Sequence, residues 1–421
     1  MIIQGARIID PKSNIDKLAD VKILDGKIVE IGENLGNDEN IIDAAGLVLC
    51  PGFIDMHTHM RDPGLTYKED IETGTMAAAA GGVTTILAMP NTLPPIDTTL
   101  RFLEAKGRSR TAAHVHVIQA AAMTGGQDGD MLCDYKGLKA CGCVALSDDG
   151  RAVADAGVMR DVLREANAYG LLPIAHCDDL ALIRGGAMNE GETAKKLKVK
   201  GNPCVAEETI VVRDILLAES VDGRVHIAHV SSGKSVQLIR EAKARGAKVT
   251  CETAPHYFSL SDAAVEQFGV DAKMNPPLRG KKDVSEIIEG IKDGTIDVIA
   301  TDHAPHAAEE KNIGLEKAVS GIVGLETMLG VCIKYLVKPG HMSLQKLIEL
   351  ISIRPAQIFG MKDYGIQIGS VADITLFDPD EVWTVDKERF FSKGRNTPYD
   401  KEELVGKVKY TIVNGRVVYS A

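Results

Sequence analysis

From Pro51 to Gly360 the chain repeats one pattern, a short β-branched or apolar run followed by a longer amphipathic stretch. The runs cover residues 53–56, 83–89, 115–121, 143–147, 172–176, 225–230, 248–253 and 298–301, eight in all. Stretches such as 159–166 and 235–242 lie between them, with apolar residues three or four apart as in an amphipathic helix. Parallel strands need a crossover connection of a dozen or more residues, usually a helix, and each interval here is long enough to hold one. Eight such units predict an α/β fold, a (β/α)8 TIM-type barrel, which takes about 250 residues before insertions.

The two ends differ from this middle. Residues 1–50 and 363–421 hold short alternating runs, and Asp25-Gly26 and Asn414-Gly415 are hairpin-turn pairs. The expected organisation is a small β-sandwich domain built from both ends (1–50 and 363–421) beside a metal-dependent catalytic barrel (51–362). With 421 residues, 45% hydrophobic and 25% charged, the chain can bury an ample core. A net charge of -11 without a long basic run argues against nucleic acid or an anionic membrane as partner. No apolar run is long enough to span a bilayer, and Met1–Arg7 does not open a secretory leader. A cytoplasmic location is therefore expected. The eight cysteines, Cys177 among them, are expected as free buried thiols, and Cys141-Gly142-Cys143 lacks C-x-x-C spacing.

Barrels of this kind carry their chemistry at the carboxyl ends of the strands, and polar residues accumulate there. His57 and His59 are two apart, so on a strand they share one face. Later ends supply Asn91, Asp148-Asp149, His176, His229 and Asp302. Four imidazoles and Asp302 can surround two divalent ions, with a bridging carboxylate from the Asp148-Asp149 pair. Alternation alone does not choose between those two. Nitrogen and carboxylate donors without a thiolate cluster suit Zn2+, with manganese, cobalt or nickel as substitutes. His114 and His116 open their strand rather than end it and are read as structural. His226 stands three before His229, on the opposite face of a regular strand. His256, His303 and His341 are read as packing or hydrogen-bonding residues.

Five segments make the chain resemble the class I dihydroorotases of the cyclic amidohydrolase family over essentially its whole length. They are Asp55–Gly64, Met89–Thr92, Ser147–Gly150, Asn275–Arg279 and Ala300–His306, the last followed by Glu309, Glu310 and Lys311. The resemblance implies one zinc on His57, His59 and Asp302, and a second on His176 and His229. Asp149 would bridge them, where hydantoinases, allantoinases and other dihydroorotases use a carboxylated lysine. No lysine lies within 143–150. Arg61 and Asn91 would hold the substrate carboxylate, joined by Asn275 and His306. Ser320 and Gly321 match a substrate-contacting segment, with serine where many relatives carry phenylalanine, so contact there would run through the backbone.

The implied activity is reversible zinc-dependent hydrolysis of dihydroorotate to N-carbamoyl-L-aspartate, a step of pyrimidine (UMP) biosynthesis, with Asp302 moving the proton. A homo-oligomer and an association with aspartate carbamoyltransferase go with it. Two rival readings carry less weight. Allantoinase or dihydropyrimidinase activity lacks a use for Arg61 and Asn91 and lacks the expected lysine. An inactive scaffold for aspartate carbamoyltransferase would not need every ligand position filled.

Overall fold

Eight parallel strands form, each shorter than or close to its apolar run: Phe53–Thr58, Val83–Ala88, His116–Gln119, Ala145–Ser147, Leu172–Ala175, Val225–Ile227, Val249–Thr253 and Val298–Ile299. They come from a computed structural model that describes residues 1–36 and 40–421. The first three strands pair in one parallel sheet and the last five in another. Single bridges, Ala121 with Leu146 and Thr58 with His303, close the barrel at its two seams. The second seam carries a bond from His59 N to the His303 carbonyl at 2.9 Å, so the first and eighth strand ends are fastened together. Asp55 reinforces this seam by accepting from His57 N at 3.0 Å and from Thr301 Oγ1 at 2.5 Å. Met56, Leu87, Met89, Ala145, Ile174 and Val298 belong to one compact cluster of buried strand residues.

The outer helices follow the periodicity of the sequence. Helix Ala156–Ala168 buries Met159, Val162, Leu163 and Ala166, and Asp155 caps its first turn by accepting from Gly157 N and Val158 N. Helix Gly233–Ala244 buries Val236, Ile239 and Ala242 and is capped by Ser232. Each fully buried aliphatic side chain contributes about 1.5–3 kcal/mol, and truncating one such as Leu163 to Ala costs about 2–5 kcal/mol.

The chain ends share one eight-stranded sheet. Its amino-terminal strands are Ile2–Asp10, Ile15–Leu24, Lys27–Gly32, Ile41–Asp43 and Val48–Pro51, and its carboxy-terminal ones Ile374–Thr384, Glu403–Val413 and Arg416–Ser420. The two groups meet where Val48–Pro51 runs antiparallel to Ile374–Thr384, Leu49 opposite Leu376. Both glycine-containing turns have two left-handed central residues, Asp25 and Gly26 at φ 50° and 77°, Asn414 and Gly415 at 50° and 73°. That geometry belongs to the tight hairpin turn that matches strand twist. Ile3, Ile8, Val21, Ile28, Leu49, Ile374 and Ile412 form a core of their own there.

Two details differ from the expected division of the chain. Val48–Pro51 belongs to the terminal sheet and Phe53 opens the barrel, so the change falls at Gly52. A Cβ at Gly52 would lie 2.1 Å from Thr84 Oγ1, which explains the small residue. Residues 386–400, sequentially part of the small domain, leave the sheet and hydrogen-bond to the barrel, as Asn396 to His306 N and Ser392 to Glu69. All eight cysteines are free. Among the described residues, no helix is long and apolar enough to cross a membrane.

Candidate active site

The strand ends bring six predicted metal-site residues, His57, His59, Asp149, His176, His229 and Asp302, into one buried cluster. His57 Nδ1 donates to Glu252 Oε1 at 2.6 Å, which turns Nε2 inward. That Nε2 has no hydrogen-bond partner and lies 3.2 Å from Asp149 Oδ1 and 3.6 Å from Asp302 Oδ1. His59 is oriented in the same manner: Nδ1 donates to Asn91 Oδ1 at 2.9 Å, and Nε2 stands 3.2 Å from Asp302 Oδ1. His176 Nδ1 and His229 Nε2 are 2.9 Å apart, at 3.4 Å and 3.3 Å from Asp149 Oδ1.

These spacings test whether a metal fits. Donors about 2.0–2.2 Å from an ion in a tetrahedral shell sit roughly 3.3–3.6 Å from one another. Distances of 3.2–3.6 Å among His57, His59, Asp149 and Asp302 match that requirement. An unpartnered buried imidazole nitrogen also needs an acceptor of its lone pair, and a divalent ion is one. These residues could therefore hold a metal ion, and outer partners fix the rings: Glu252 on His57 and Asn91 on His59.

Electrostatics point the same way. Burial opposes ionisation of Asp149, yet His57 and bonds from His176 and His229 hold its carboxyl well below the usual range. Glu252, equally buried, is held low by His57 and by His226. Burial disfavours charge on His176, but Asp149 and Asp178 push it up to about 10. Such a shift registers a strongly negative field, the environment a dication stabilises.

His59, Arg61, Asn91, Asn275, His306 and Gly321 line a cavity of about 240 Å³ beside the cluster, together with Asp302 and Ser320. Burial lowers the Arg61 guanidinium to about 10, leaving it charged at neutral pH. Its Nε donates to the Pro305 carbonyl at 3.3 Å and its Nη2 lies 3.4 Å from His306 Nε2, so the guanidinium is held facing the cavity it lines, where a planar fork suits an anion. Burial and then Arg61 push His306 down to about 2, so it is a neutral ring whose Nε2 donates to the Ser320 carbonyl at 2.8 Å. Asn275 Nδ2 donates to Asp178 Oδ2 at 3.0 Å and faces His176 Nε2 at 3.2 Å. Gly321 N is engaged with the Lys273 carbonyl at 2.9 Å, so Gly321 meets the cavity without a free amide. Arg61, His229 and Asp302 have φ of 57°, 32° and 50°. Left-handed backbone in non-glycine residues costs on the order of 1–3 kcal/mol and concentrates at functional sites.

Asp148 and Asp149 separate clearly. Asp148 accepts from Met123 N at 2.8 Å and Thr124 Oγ1 at 2.5 Å, holding a loop, and only Asp149 enters the cluster. His226 departs from the sequence expectation. Its strand ends at Ile227 and His229 is left-handed, so strict alternation fails and both face the same network. His226 Nε2 meets Glu252 Oε2 at 3.2 Å. His116 pairs with Asp373 at 3.1 Å, outside the cluster, and His303 meets Glu69 Oε2 at 3.4 Å. Sequence reasoning missed Glu252, although a carboxylate inside the buried strand Val249–Thr253 is itself a signal of a paired charge.

A barrel that gathers four imidazoles and two aspartates at its strand ends has the donor set of a metal-dependent hydrolase. Residues 46–235 match the family model of Dihydro-orotase-like proteins, and residues 212–419 that of the Amidohydrolase family. The dihydroorotase of Geotalea daltonii is 48% identical, covering 100% of this chain and 99% of that protein. The dihydroorotase of Acetivibrio thermocellus is 46% identical, covering 99% and 98%. Among solved structures, L-hydantoinase from Arthrobacter aurescens superposes with a TM-score of 0.91 at 27% identity, covering 100% of this chain and 96% of that one. The chain belongs to the dihydroorotase family of amidohydrolases.

Proposed function

We propose that this protein interconverts dihydroorotate and N-carbamoyl-L-aspartate with two zinc ions, and that the predicted site residues do so. One observation carries the reading: a charged, buried Arg61 opens into the same cavity as the histidine–aspartate cluster. A ring substrate that carries a carboxylate beside its scissile amide supplies a partner for both. His57, His59 and Asp302 would hold one ion, His176 and His229 the other, with Asp149 between. When bound, such ions lower the pKa of water to about 7 and polarise a carbonyl.

The remaining work belongs to the chain. Arg61, with Asn91, Asn275 and His306, fixes the carboxylate and thereby the ring carbonyl's position. Asp302 receives the proton released as water adds to that carbonyl and returns it to the ring nitrogen as the C–N bond breaks. Water is consumed, one carboxylate and one ureido group are formed, and the second proton of the water leaves to solvent. In the cyclisation direction Asp302 first takes the proton from the ureido nitrogen. General acid–base work of this type contributes about 10²–10⁴-fold. The small-molecule substrate leaves other surfaces free for a homo-oligomer or for aspartate carbamoyltransferase, in a cytoplasmic setting.

The test measures metal content and carbamoyl-aspartate cyclisation on one preparation, with allantoin and dihydrouracil assayed alongside. Turnover of dihydroorotate above both rings, with about two zinc ions per chain, is expected from the ligand set. Preference for either neutral ring, or full activity without metal, overturns the reading.

A further inference from the structure

We propose that Asn396 is a positioning residue that sets the geometry of the anion clamp, so that the small domain's chain takes part in substrate selection. The inference rests on the cavity being the dihydroorotate site. In sequence, Asn396 lies between the sheet strands Ile374–Thr384 and Glu403–Val413, far from every barrel motif. In space it is 4% exposed and reaches the barrel mouth. Its Oδ1 accepts from His306 N at 3.1 Å, and its Nδ2 donates to the carbonyls of Ala304 and Gly321, both at 2.9 Å. Its own carbonyl accepts from Val323 N at 2.9 Å. One side-chain amide thus ties the loop after the eighth strand to the Ser320-Gly321 segment. Only an amide offers one acceptor and two donors on so short a side chain.

The spacing between these two loops matters because they lie directly against each other, Ala304 N donating to the Ile322 carbonyl at 2.8 Å. Gly321 has φ 128°, and a Cβ there would lie 2.6 Å from Ala304 Cβ. Lys311, also buried, donates its Nζ to the Gly321 carbonyl at 3.0 Å and the Val319 carbonyl at 3.1 Å, so the segment is gripped from behind. The loop held by Asn396 carries the Pro305 carbonyl that receives Arg61 Nε and the His306 ring that meets the Ser320 carbonyl. A displacement of this loop moves Arg61, His306 and Gly321 together. The four metal-site histidines are held independently, by strand ends and by Glu252, Asn91 and Asn275.

Asn396 is itself anchored to the barrel. Phe391 N and Ser392 N donate to Glu326 at 3.1 Å and 3.2 Å, Lys393 N donates to Glu69 Oε1 at 3.2 Å, and Tyr399 Oη meets Ser259 Oγ at 2.7 Å. The anchoring explains why a residue of the terminal domain can hold barrel loops in register. It also makes the prediction specific, since the Asn396 side chain bonds to His306, Ala304 and Gly321 and to none of the six cluster side chains.

Zinc-loaded Asn396→Ala and Asn396→Asp are compared with the parent for kcat and KM on dihydroorotate and on its methyl ester, which lacks the anion, with melting temperatures recorded. The aspartate keeps the acceptor for His306 N and loses both donors, so it retains the side chain's volume. Expected for both variants is a KM for dihydroorotate raised at least about tenfold, a kcat within about threefold, and a collapsed preference for acid over ester. A KM left within about twofold, or equal losses on acid and ester through kcat, overturns the inference while leaving the functional reading intact. If the parent itself shows no preference for acid over ester, the functional reading fails, and the clamp inference with it.

Discussion

Glu252→Gln isolates how much of the metal affinity comes from a residue that never touches the metal. Glu252 accepts from His57 Nδ1 at 2.6 Å and meets His226 Nε2 at 3.2 Å in a fully buried setting. A hydrogen bond to a charged group contributes about 1.5–3 kcal/mol and a neutral one about 0.5–1.5 kcal/mol. Glutamine can still accept from His57, so the substitution removes the charge and spares the geometry. The difference, about 1–1.5 kcal/mol, corresponds to roughly tenfold weaker metal binding. It falls at the low end of the 10–100-fold effects typical of residues behind a ligand. Glu252→Ala, which removes the partner of His57 Nδ1 and of His226 Nε2, should reach about a hundredfold. The assay is a zinc titration of the metal-free protein against a chromophoric chelator, with kcat then measured at saturating metal. Recovery of most of kcat in Glu252→Gln is expected. Affinity within about twofold of the parent in both variants would refute the idea that this carboxylate orients and activates His57.

Asp302→Asn should keep most of the bound metal and lose about 10²–10⁴ in kcat, checked by metal analysis and steady-state rates in both directions. Arg61→Ala should raise KM for dihydroorotate far more than it lowers kcat, since a charged side chain opening into the cavity would be lost. Glu326 gives a pH test: burial raises its carboxyl to about 7, above an unfolded value near the ordinary 4.5. For an acid raised on folding, stability is greatest below the unfolded pKa and declines as pH climbs toward the folded value. The parent should therefore lose roughly 2–5 °C in melting temperature relative to Glu326→Gln between pH 4.5 and 7, and parallel curves would remove that role.

Much of this protein follows from local pattern. The eight apolar runs, the buried faces of helices such as Ala156–Ala168, and the hairpins at Asp25-Gly26 and Asn414-Gly415 all depend on neighbours a few residues apart. His57 and His59 share a face for the same reason, because alternation along a strand is a property of the backbone. What alternation could not decide is where a strand stops. His226 and His229 serve one network because the strand ends at Ile227 and His229 is left-handed, and Asp149 rather than Asp148 enters the cluster because Asp148 is taken up by Met123 N and Thr124 Oγ1. Glu252 and Asn396 became legible only in three dimensions. Each acts through hydrogen bonds to residues brought near by barrel closure or by the return of the carboxy-terminal chain, contacts that span 195 and 90 positions. Hydrogen bonds of that kind leave no period in a sequence, so the candidate ligands could be named from the chain alone, whereas Glu252 behind His57 and Asn396 behind the His306 loop were decided by the fold.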